Sequence, residues 1–584
     1  MCGIAGSFNF SNNKILTNML KKIKHRGPDD CQKYFNDNYM IGINRLAILD
    51  IKNGKQPMFS NNKKISLVFN GEIFNYLEIK KELEKKGLKF FTKNSDTEVI
   101  LKAYEYYGLD CFNKFNGMFA IAIVDENKKN MILCRDRTGI KPLFYSQIEN
   151  KFFFSSEIKS LFEVPNIRKE PNYNSISLYF SLKNIPGPFT GFKNIFQVDP
   201  GEFILINKDN IVKKKFYEKK NYPINSFSLS QNSHKVYNLL NKSVEIRMRS
   251  DVEVGAFLSG GLDSSIICFL ASQYTKKKIK TFTLTYLDHF KEKNNDKIFA
   301  KKMSKILNTE HYEFEIKKKE INSKIIDALD SFDQPFAGVI SSYFLSKLTS
   351  KYVKTCLSGD GADELFGSYK FPRLVSEFNK NISSLELIST KDLSLNINSS
   401  ERKRYLQKKY LLKNDLNFYL NKISSPIKCN DSINKSLIMD YNTLLCDQVL
   451  SYADIHSMQH SLEVRPPFLD NKLIEFAFQI PGKQKINKNI NKLILKHAFA
   501  KYLPKEIIYR KKEGFVMPIE EIFIKNNQKL ICKILSLKNL EKHNLLKYST
   551  IKYLLKNIDT NSFIDNNKIW IFYCFQNWWN KNFI

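Results

Sequence analysis

Short apolar runs without a helical repeat dominate residues 1–200. Runs rich in β-branched and aromatic residues, bounded by Gly, Asn, Asp or Ser, are typical of strands. They predict strands at residues 42–49, 65–70, 118–125, 131–135 and 151–155. Two segments, 78–86 and 97–107, instead repeat apolar residues with the period of an amphipathic helix. The pattern therefore predicts a β-rich first domain with a few helices.

The pattern changes near residue 235. A turn at 199–201, a strand at 202–206 and a polar, proline-containing segment at 213–233 precede the change. Beyond it, apolar strands alternate with helical segments, which is typical of an α/β doubly wound parallel sheet. The strands are predicted at 252–258, 280–285, 311–314 and 353–357, and the helices at 235–249, after the glycines at 260–261, at 297–307 and at 340–349. We predict domains at 1–210 and 236–584, with a linker at 211–235 and helical additions in the second domain. The segment 375–435 suggests no chemistry.

Composition favours globular domains in a reducing compartment. The chain has 584 residues, 43% of them apolar and 13% aromatic, which suits more than one packed domain. Its ten cysteines form no CxxC pair and no metal-site spacing, and this indicates free thiols rather than a disulfide framework. No signal peptide or membrane-spanning run is apparent. We expect a cytoplasmic protein with no membrane partner, and the sequence leaves a homodimer open.

The net charge of +33 raises the hypothesis of a nucleic-acid-binding protein. The lysines are spread over nearly every segment, and no motif with interleaved aromatic residues accompanies them. Runs such as 213–215 and 317–319 are typical of solvated faces. The distribution predicts weak, salt-sensitive polyanion binding at most, and no nucleic-acid partner.

The first six residues, Met-Cys-Gly-Ile-Ala-Gly, place a thiol beside a main-chain amine. If Met1 is removed, Cys2 carries both groups, and an α-amine with a pKa of about 8 can accept the thiol proton. Gly3 and Gly6 bracket an apolar pair, which predicts a short buried strand that holds the terminus rigid. Cys2 is therefore a candidate nucleophile.

An anion-binding loop is predicted directly after the strand at 252–258. The sequence Ser-Gly-Gly-Leu-Asp-Ser-Ser at 259–265 joins that strand to a helix, so that N–H groups and the helix dipole converge on one point. It is neither a Walker A motif nor a GxGxxG turn. An acidic residue inside a phosphate loop suits a Mg²⁺ ligand, and this residue is Asp263.

A second acidic cluster, residues 358–367, follows the predicted strand at 353–357. Ligands of parallel sheets collect at the carboxyl ends of the strands. Three acids in this cluster, Asp360, Asp363 and Glu364, would repel one another without a cation. The cluster therefore predicts contact with a metal ion or with an ammonium-bearing substrate.

Polar motifs at strand ends in the first domain resemble the glutaminase domain of class II amidotransferases, which are N-terminal-nucleophile enzymes. Besides Cys2, the matching motifs lie at 26–29, 44–46, 54–57, 70–73 and 95–96. The resemblance implies an α+β N-terminal-nucleophile layered sandwich in which Cys2 attacks the side-chain amide of glutamine.

The same resemblance implies roles for the residues around Cys2. Asn70 and the main-chain N–H of Gly71 would form the oxyanion hole, since both donors can be fixed in advance toward developing negative charge. Arg45 would bind the carboxylate of glutamine, and Glu72 and Asp96 would bind its ammonium. One departure is Ile43, which stands where the family often has a His.

The second domain resembles glutamine-dependent asparagine synthetases, whose glycine loop is that of the ATP pyrophosphatases. The matching motifs lie at 259–265, 358–367, 454–458, 462–470 and 510–515. The resemblance implies that the loop and its neighbours bind ATP through Leu258, Ser259, Gly260, Gly261, Asp263, Ser264, Leu284, Ser358 and Gly359. Asp363 would join Asp263 as a Mg²⁺ ligand, and Asp360 would stand beside an aspartyl-adenylate. Lys512 would support the leaving pyrophosphate.

Together, the motifs predict a glutamine-hydrolysing asparagine synthetase that uses ATP and Mg²⁺ and takes glutamine and aspartate as substrates. The alternative is an amidotransferase of the same architecture whose acceptor is another carboxylate, on a surface polysaccharide sugar or a natural product. Four residues keep it open because relatives often carry others there: Gln334, Gly338, Ile455 and Ser368.

Overall fold

The computed structural model describes residues 1–208, 210–218, 222–286, 294–377, 382–411, 416–487, 490–514 and 517–584. The strands of its first half are β1 (Cys2–Phe8), β2 (Asp30–Phe35), β3 (Tyr39–Arg45), β4 (Met58–Phe59), β5 (Ile65–Ile73), β6 (Gly117–Asp125), β7 (Asn130–Arg135), β8 (Phe144–Ile148), β9 (Lys151–Ser155), β10 (Ile195–Gln197), β11 (Glu202–Ile206) and β12 (Ile211–Lys215). The helices of this half are α1 (Asn13–Lys22), α2 (Tyr76–Lys85), α3 (Asp96–Tyr107), α4 (Cys111–Lys114), α5 (Ile158–Leu161) and α6 (Tyr173–Leu182).

These strands form two six-stranded antiparallel sheets, in the orders β10-β8-β9-β1-β3-β2 and β12-β11-β7-β6-β5-β4. The side chains of β6 show how the two sheets pack, because successive side chains along a strand point to opposite faces. Ala122 and Val124 face the other sheet, whereas Ile121 and Ile123 pack in a cluster with α2 and α3. Helices α1, α5 and α6 cover the outer face of the first sheet. The result is the predicted layered α+β sandwich.

The second half is built on a five-stranded parallel sheet. Its strands are β13 (Val254–Phe257), β14 (Lys280–Tyr286), β15 (Glu310–Ile316), β16 (Thr355–Leu357) and β17 (Glu463–Arg465). The order β15-β14-β13-β16-β17 runs outward in both directions from β13, which is the doubly wound topology predicted from the sequence. Strands β13 and β16 are parallel neighbours. The glycine loop after β13 and the acidic loop after β16 therefore lie at the same edge of the sheet.

Helices surround this sheet and continue to the end of the chain. They are α7 (Leu229–Arg247), α8 (Leu262–Ser272), α9 (Asn294–Leu307), α10 (Lys318–Asp330), α11 (Ser341–Thr349), α12 (Ala362–Phe366), α13 (Lys370–Ser376), α14 (Ser384–Leu393), α15 (Ser399–Tyr405), α16 (Leu416–Ser424), α17 (Ser432–Asp440), α18 (Leu450–Met458), α19 (Asn471–Ala477), α20 (Leu493–Phe499), α21 (Lys505–Ile508), α22 (Gln528–Ile534), α23 (Leu537–Glu541), α24 (Tyr548–Lys556) and α25 (Phe563–Phe583). In the part of the chain that is described, no helix combines the length and apolar character that crossing a bilayer requires.

The segment 211–235, predicted as a linker, has regular structure at both ends. Strand β12 pairs with β11 at the edge of the second sheet, and its three central residues are exposed. Lysines on an edge strand discourage pairing with other chains, which explains why a polar run can be a strand. Helix α7 begins at Leu229, six residues before the predicted start at 235, because Ser228 and Gln231 form a capping box.

Candidate functional site

The Cys2 thiol lies at the start of β1, in the first sheet of the sandwich, and is almost fully buried. Its main-chain N–H donates to Oδ1 of Asn70 at 3.0 Å, and its carbonyl accepts from Nε of Arg26 at 3.1 Å. Burial raises the pKa of the Cys2 thiol, while the terminal ammonium and Arg45 act to lower it. The predicted buried strand at the terminus is present and holds Cys2 in place.

Asn70 and Gly71 lie side by side on β5 beside Cys2. The Nδ2 group of Asn70 is buried and has no hydrogen-bond partner among the described residues. Such a donor is costly unless something accepts from it, and a developing oxyanion would do so. Gly71 has φ +153°, and a Cβ there would lie 2.0 Å from the carbonyl oxygen of Met118. Only glycine lets the strand run this close to β6.

The three residues predicted to bind the ends of glutamine are also buried near Cys2. Arg45 is opposite Cys2 in the β1–β3 register, and its guanidinium donates to the carbonyls of Leu49, Asp50 and Ile51 at 2.9 to 3.1 Å. These bonds orient the guanidinium. The guanidinium places a positive charge in the site, which suits a carboxylate.

Glu72 and Asp96 supply negative charge in the same place. Burial, and then the charge of Asp96, raise the pKa of Glu72 well above its usual range. Burial likewise raises the pKa of Asp96 to about 6, although its carboxylate accepts from the N–H of Ile73 at 3.1 Å. Two adjacent buried acids favour a cation between or beside them, which suits the ammonium of an amino acid.

Two further residues reach this centre from the second half, and sequence reasoning assigned them no role. Glu463 lies 3.0 Å from the terminal ammonium of Met1, and Arg465 lies 3.4 Å from the carboxylate of Glu72. Both belong to β17 and are fully buried. Glu463 and Arg465 lie within the motif at 462–470, but the motif alone does not show that they lie close to the Cys2 centre in the folded chain.

The glycine loop of the second half forms the predicted anion cradle. Gly260 has φ +69°, and a Cβ there would lie 2.4 Å from the main-chain nitrogen of Ala300. Gly261 caps the N-terminus of α8, and the hydroxyls of Ser259 and Ser264 are 3.1 Å apart. Leu258 is buried just before the loop. The loop therefore places small residues and N–H groups at a helix N-terminus, where phosphate binds readily.

The other predicted nucleotide contacts lie on adjacent strands. Leu284 is near the end of β14, and Ser358 and Gly359 directly follow β16. A Cβ on Gly359 would lie 3.1 Å from Cβ of Asp263, so the two loops touch. The hydroxyl of Ser358 donates to Asp360 at 2.8 Å, and burial raises the pKa of Asp360 to about 6.

Asp263 and Asp363, the predicted metal ligands, converge on one cationic group. The Lys492 ammonium contacts both carboxylates, at 2.5 Å from Asp263. Burial acts to raise the pKa of Asp363, yet the ammonium groups of Lys492 and Lys512 hold that pKa below its usual range. No sequence pattern distinguishes Lys492, because it is one of 92 Lys and Arg residues in the chain.

The carboxylates of Asp263 and Asp363 fit a Mg²⁺ ion that arrives with phosphates. Oδ1 of Asp263 is buried without a hydrogen-bond partner within the described ranges. Mg²⁺ commonly takes one or two protein carboxylates and completes its shell with phosphate oxygens and water. The described residues hold no group of three or more His, Cys, Asp or Glu side chains placed to bind a metal, so substrate oxygens would supply the remaining ligands.

Lys512 lies next to this pair, with its ammonium 2.5 Å from Asp363 and 2.6 Å from the hydroxyl of Ser368. Ser368 also donates to Asp363. Ser368, one of the four residues at which the chain departs from relatives, thus lies between the acid and the lysine. Gln334 and Ile455 line a cleft between the two halves of the chain.

The fold and the two centres define a class of protein. A buried thiol with oxyanion donors in a layered sandwich, joined to a phosphate loop on a doubly wound sheet, is the arrangement of a glutamine amidotransferase fused to a nucleotide-dependent domain. Residues 235–580 match the family model described as asparagine synthase, and residues 1–217 match that of a glutamine amidotransferase domain. The chain belongs to the asparagine synthase family, and it is a ligase.

Several curated relatives come from Bacillus subtilis (strain 168). The chain is similar to glutamine-hydrolyzing asparagine synthetase 1, with 33% identity over 90% of this chain and 88% of the relative. It is also similar to glutamine-hydrolyzing asparagine synthetase 3, with 30% identity over 95% and 93%. Among solved structures, it resembles glutamine phosphoribosylpyrophosphate amidotransferase from B. subtilis, with 19% identity, a TM-score of 0.30 and coverage of 48% of this chain and 65% of that one.

Proposed function

We propose that the protein synthesises asparagine from aspartate, with glutamine as the nitrogen donor and ATP as the energy source. The observation that carries the acceptor assignment is the similarity to curated asparagine synthetases along nearly the whole chain. The two centres account for the two halves of such a reaction.

At the first centre, the thiolate of Cys2 attacks the side-chain carbonyl carbon of glutamine. The main-chain amine of Cys2, once Met1 is removed, takes the thiol proton and passes it to the departing nitrogen. Asn70 Nδ2 and the N–H of Gly71 donate to the oxyanion. Ammonia leaves, and water then cleaves the thioester to give glutamate and the free thiol.

At the second centre, the β-carboxylate of aspartate attacks the α-phosphorus of ATP, and pyrophosphate leaves. The loop at 259–265 holds the phosphates, and Lys512 with Lys492 offsets the charge of the departing group. Asp263 and Asp363 would hold Mg²⁺, which supplies further charge neutralisation when bound. Ammonia from the first centre then displaces AMP from the aspartyl-adenylate and forms the amide.

The experiment that tests this proposal offers the purified protein ATP, Mg²⁺ and glutamine together with a panel of carboxylates. We expect pyrophosphate and AMP to appear with aspartate, and asparagine to be detected in equal amount by mass spectrometry. The matched control is Asp263→Ala, which should abolish AMP formation but leave glutamine hydrolysis. Formation of ADP would contradict the pyrophosphatase chemistry, and turnover with a different carboxylate alone would assign the alternative acceptor.

A further inference from the structure

Strand β17 of the synthetase half presents two charged side chains to the glutaminase half. Glu463 and Arg465 are two residues apart on one strand, so their side chains point to the same face. Both side chains are completely buried. The proposed reaction gives neither residue a role, and burying charge at a domain interface without a function is unfavourable.

The guanidinium of Arg465 is held in one orientation by its own half of the chain. Its Nε donates to Glu463 at 2.5 Å, and its Nη1 donates to the carbonyls of Arg247 and Arg249, both at 2.7 Å. Because the guanidinium is planar, these bonds also fix the direction of Nη2. Nη2 points at the carboxylate of Glu72, 3.4 Å away.

Glu72 needs such a partner if it is to bind an ammonium. Burial and the neighbouring Asp96 both favour the neutral form of Glu72, whereas the charge of Arg465 favours the carboxylate. A neutral Glu72 would offer glutamine a much weaker site than an anionic one.

We propose that Arg465 is a positioning residue for glutamine: it fixes the Glu72 carboxylate, so that the synthetase half completes the glutamine site. The inference rests on the proposed function of the first centre. The main chain of Arg465 also touches the second centre, since the N–H of Ser358 donates to the carbonyl of Arg465 at 3.0 Å. A single strand therefore contacts the glutamine clamp and the start of the acidic loop.

The test measures KM and kcat for glutamine hydrolysis in the full-length protein with Arg465→Gln, Arg465→Lys and Arg247→Gln. We expect Arg465→Gln to raise KM by about tenfold, the effect of losing a charge-assisted bond, with a smaller change in kcat. Arg465→Lys keeps the charge but cannot make all the contacts at once, so its KM should be intermediate. Arg247 is the matched control: it is equally buried and stacks on Phe74, but its carboxylate partner is Asp470.

A second pair of variants separates positioning from a general loss of structure. If Arg465 acts through Glu72, KM in the double variant Glu72→Gln, Arg465→Gln should be no higher than in Glu72→Gln alone. Additive effects, or an unchanged KM in both Arg465 variants, would overturn the inference. If Arg465→Gln does not fold, the Arg465→Lys series gives the same comparison. Failure of the proposed function would differ, since the unaltered protein would then not hydrolyse glutamine.

Discussion

At the residue scale, buried acids govern the first centre. Glu72 and Asp96 are held in an environment that disfavours their charged forms, and both pKa values are raised for that reason. In the proposed function, the ammonium of glutamine would offset this cost.

Asp96 should therefore impose a pH dependence on glutamine hydrolysis. Its pKa is raised to about 6, so it is charged above that pH and loses its charge as the pH falls through it. Protonated Asp96 cannot pair with an ammonium. We expect kcat/KM for glutamine to fall about tenfold for each pH unit below 6, as measured in a pH series of initial rates.

The control for this pH series is Asp96→Asn, which should lower kcat/KM at neutral pH and remove the inflection near 6. Glu72, Glu463 and the terminal amine are the charged groups that act on Asp96. An inflection near 6 that persists in Asp96→Asn would show that a group other than Asp96 causes it.

At the element scale, the close approach of two strands shapes the proposed oxyanion hole. Strand β5 passes so near to β6 that Gly71 could not carry a side chain. We expect Gly71→Ala to displace the main-chain N–H and lower the glutaminase kcat by about 10² to 10³, the usual effect of losing one oxyanion donor. Ammonia-dependent synthesis, assayed with ammonium and no glutamine, should change little.

Gly87→Ala is the matched control, because Gly87 also has positive φ, at +87°, but a Cβ there would meet nothing within 4 Å. Both variants incur backbone strain, of about 1–2 kcal/mol, while only Gly71→Ala introduces a steric clash with β6. Equal glutaminase rates in the two variants would contradict the proposed role of Gly71.

Elements with a local signal were predictable from the sequence. Central strands such as β6 are buried on both faces and read as continuous apolar runs, and the glycine loop carries its motif within seven residues. Edge strands lack this signal: β12 is lysine-rich, and β17 has only three residues. The capping box at Ser228 is a local signal for a helix that begins at Leu229.

The site residues divide in the same way, into those with a local sequence signal and those without one. Cys2, Asn70 and Asp263 lie in motifs whose local chemistry is informative. Lys492 meets Asp263 across 229 positions, and Arg465 meets Glu72 across 393. Contacts at such separations depend on the packing of whole domains, which no local pattern encodes.

At the scale of the whole molecule, buried charges join the two halves. Arg26 donates to the carbonyl of Cys2, to Glu157 at 2.9 Å and to Asp454 of α18 at 2.7 Å. Lys141 contacts the other oxygen of Asp454 at 3.2 Å. Removing one partner from such a network typically costs about 3–5 kcal/mol, so the relative position of the halves is strongly specified.

Apolar contact accompanies these charges. Leu46, Phe74, Met118 and Ile140 of the first half belong to one buried cluster with residues of the second half, including Leu357. The apolar part of the interface favours transfer of neutral ammonia over ammonium, because a charge would have to be desolvated. We therefore expect nitrogen from glutamine to reach the second centre without mixing with bulk ammonium.

Isotope transfer tests this expectation. With ¹⁵N-amide glutamine and an excess of unlabelled ammonium near pH 7, we expect the amide of the product to retain most of the ¹⁵N, as measured by mass spectrometry. Cys2→Ala is the control, since it should give only unlabelled product at the rate supported by added ammonium. Dilution of the label to the composition of the bulk pool would mean that ammonia escapes to solvent between the two centres, and that the buried interface serves only to hold them together.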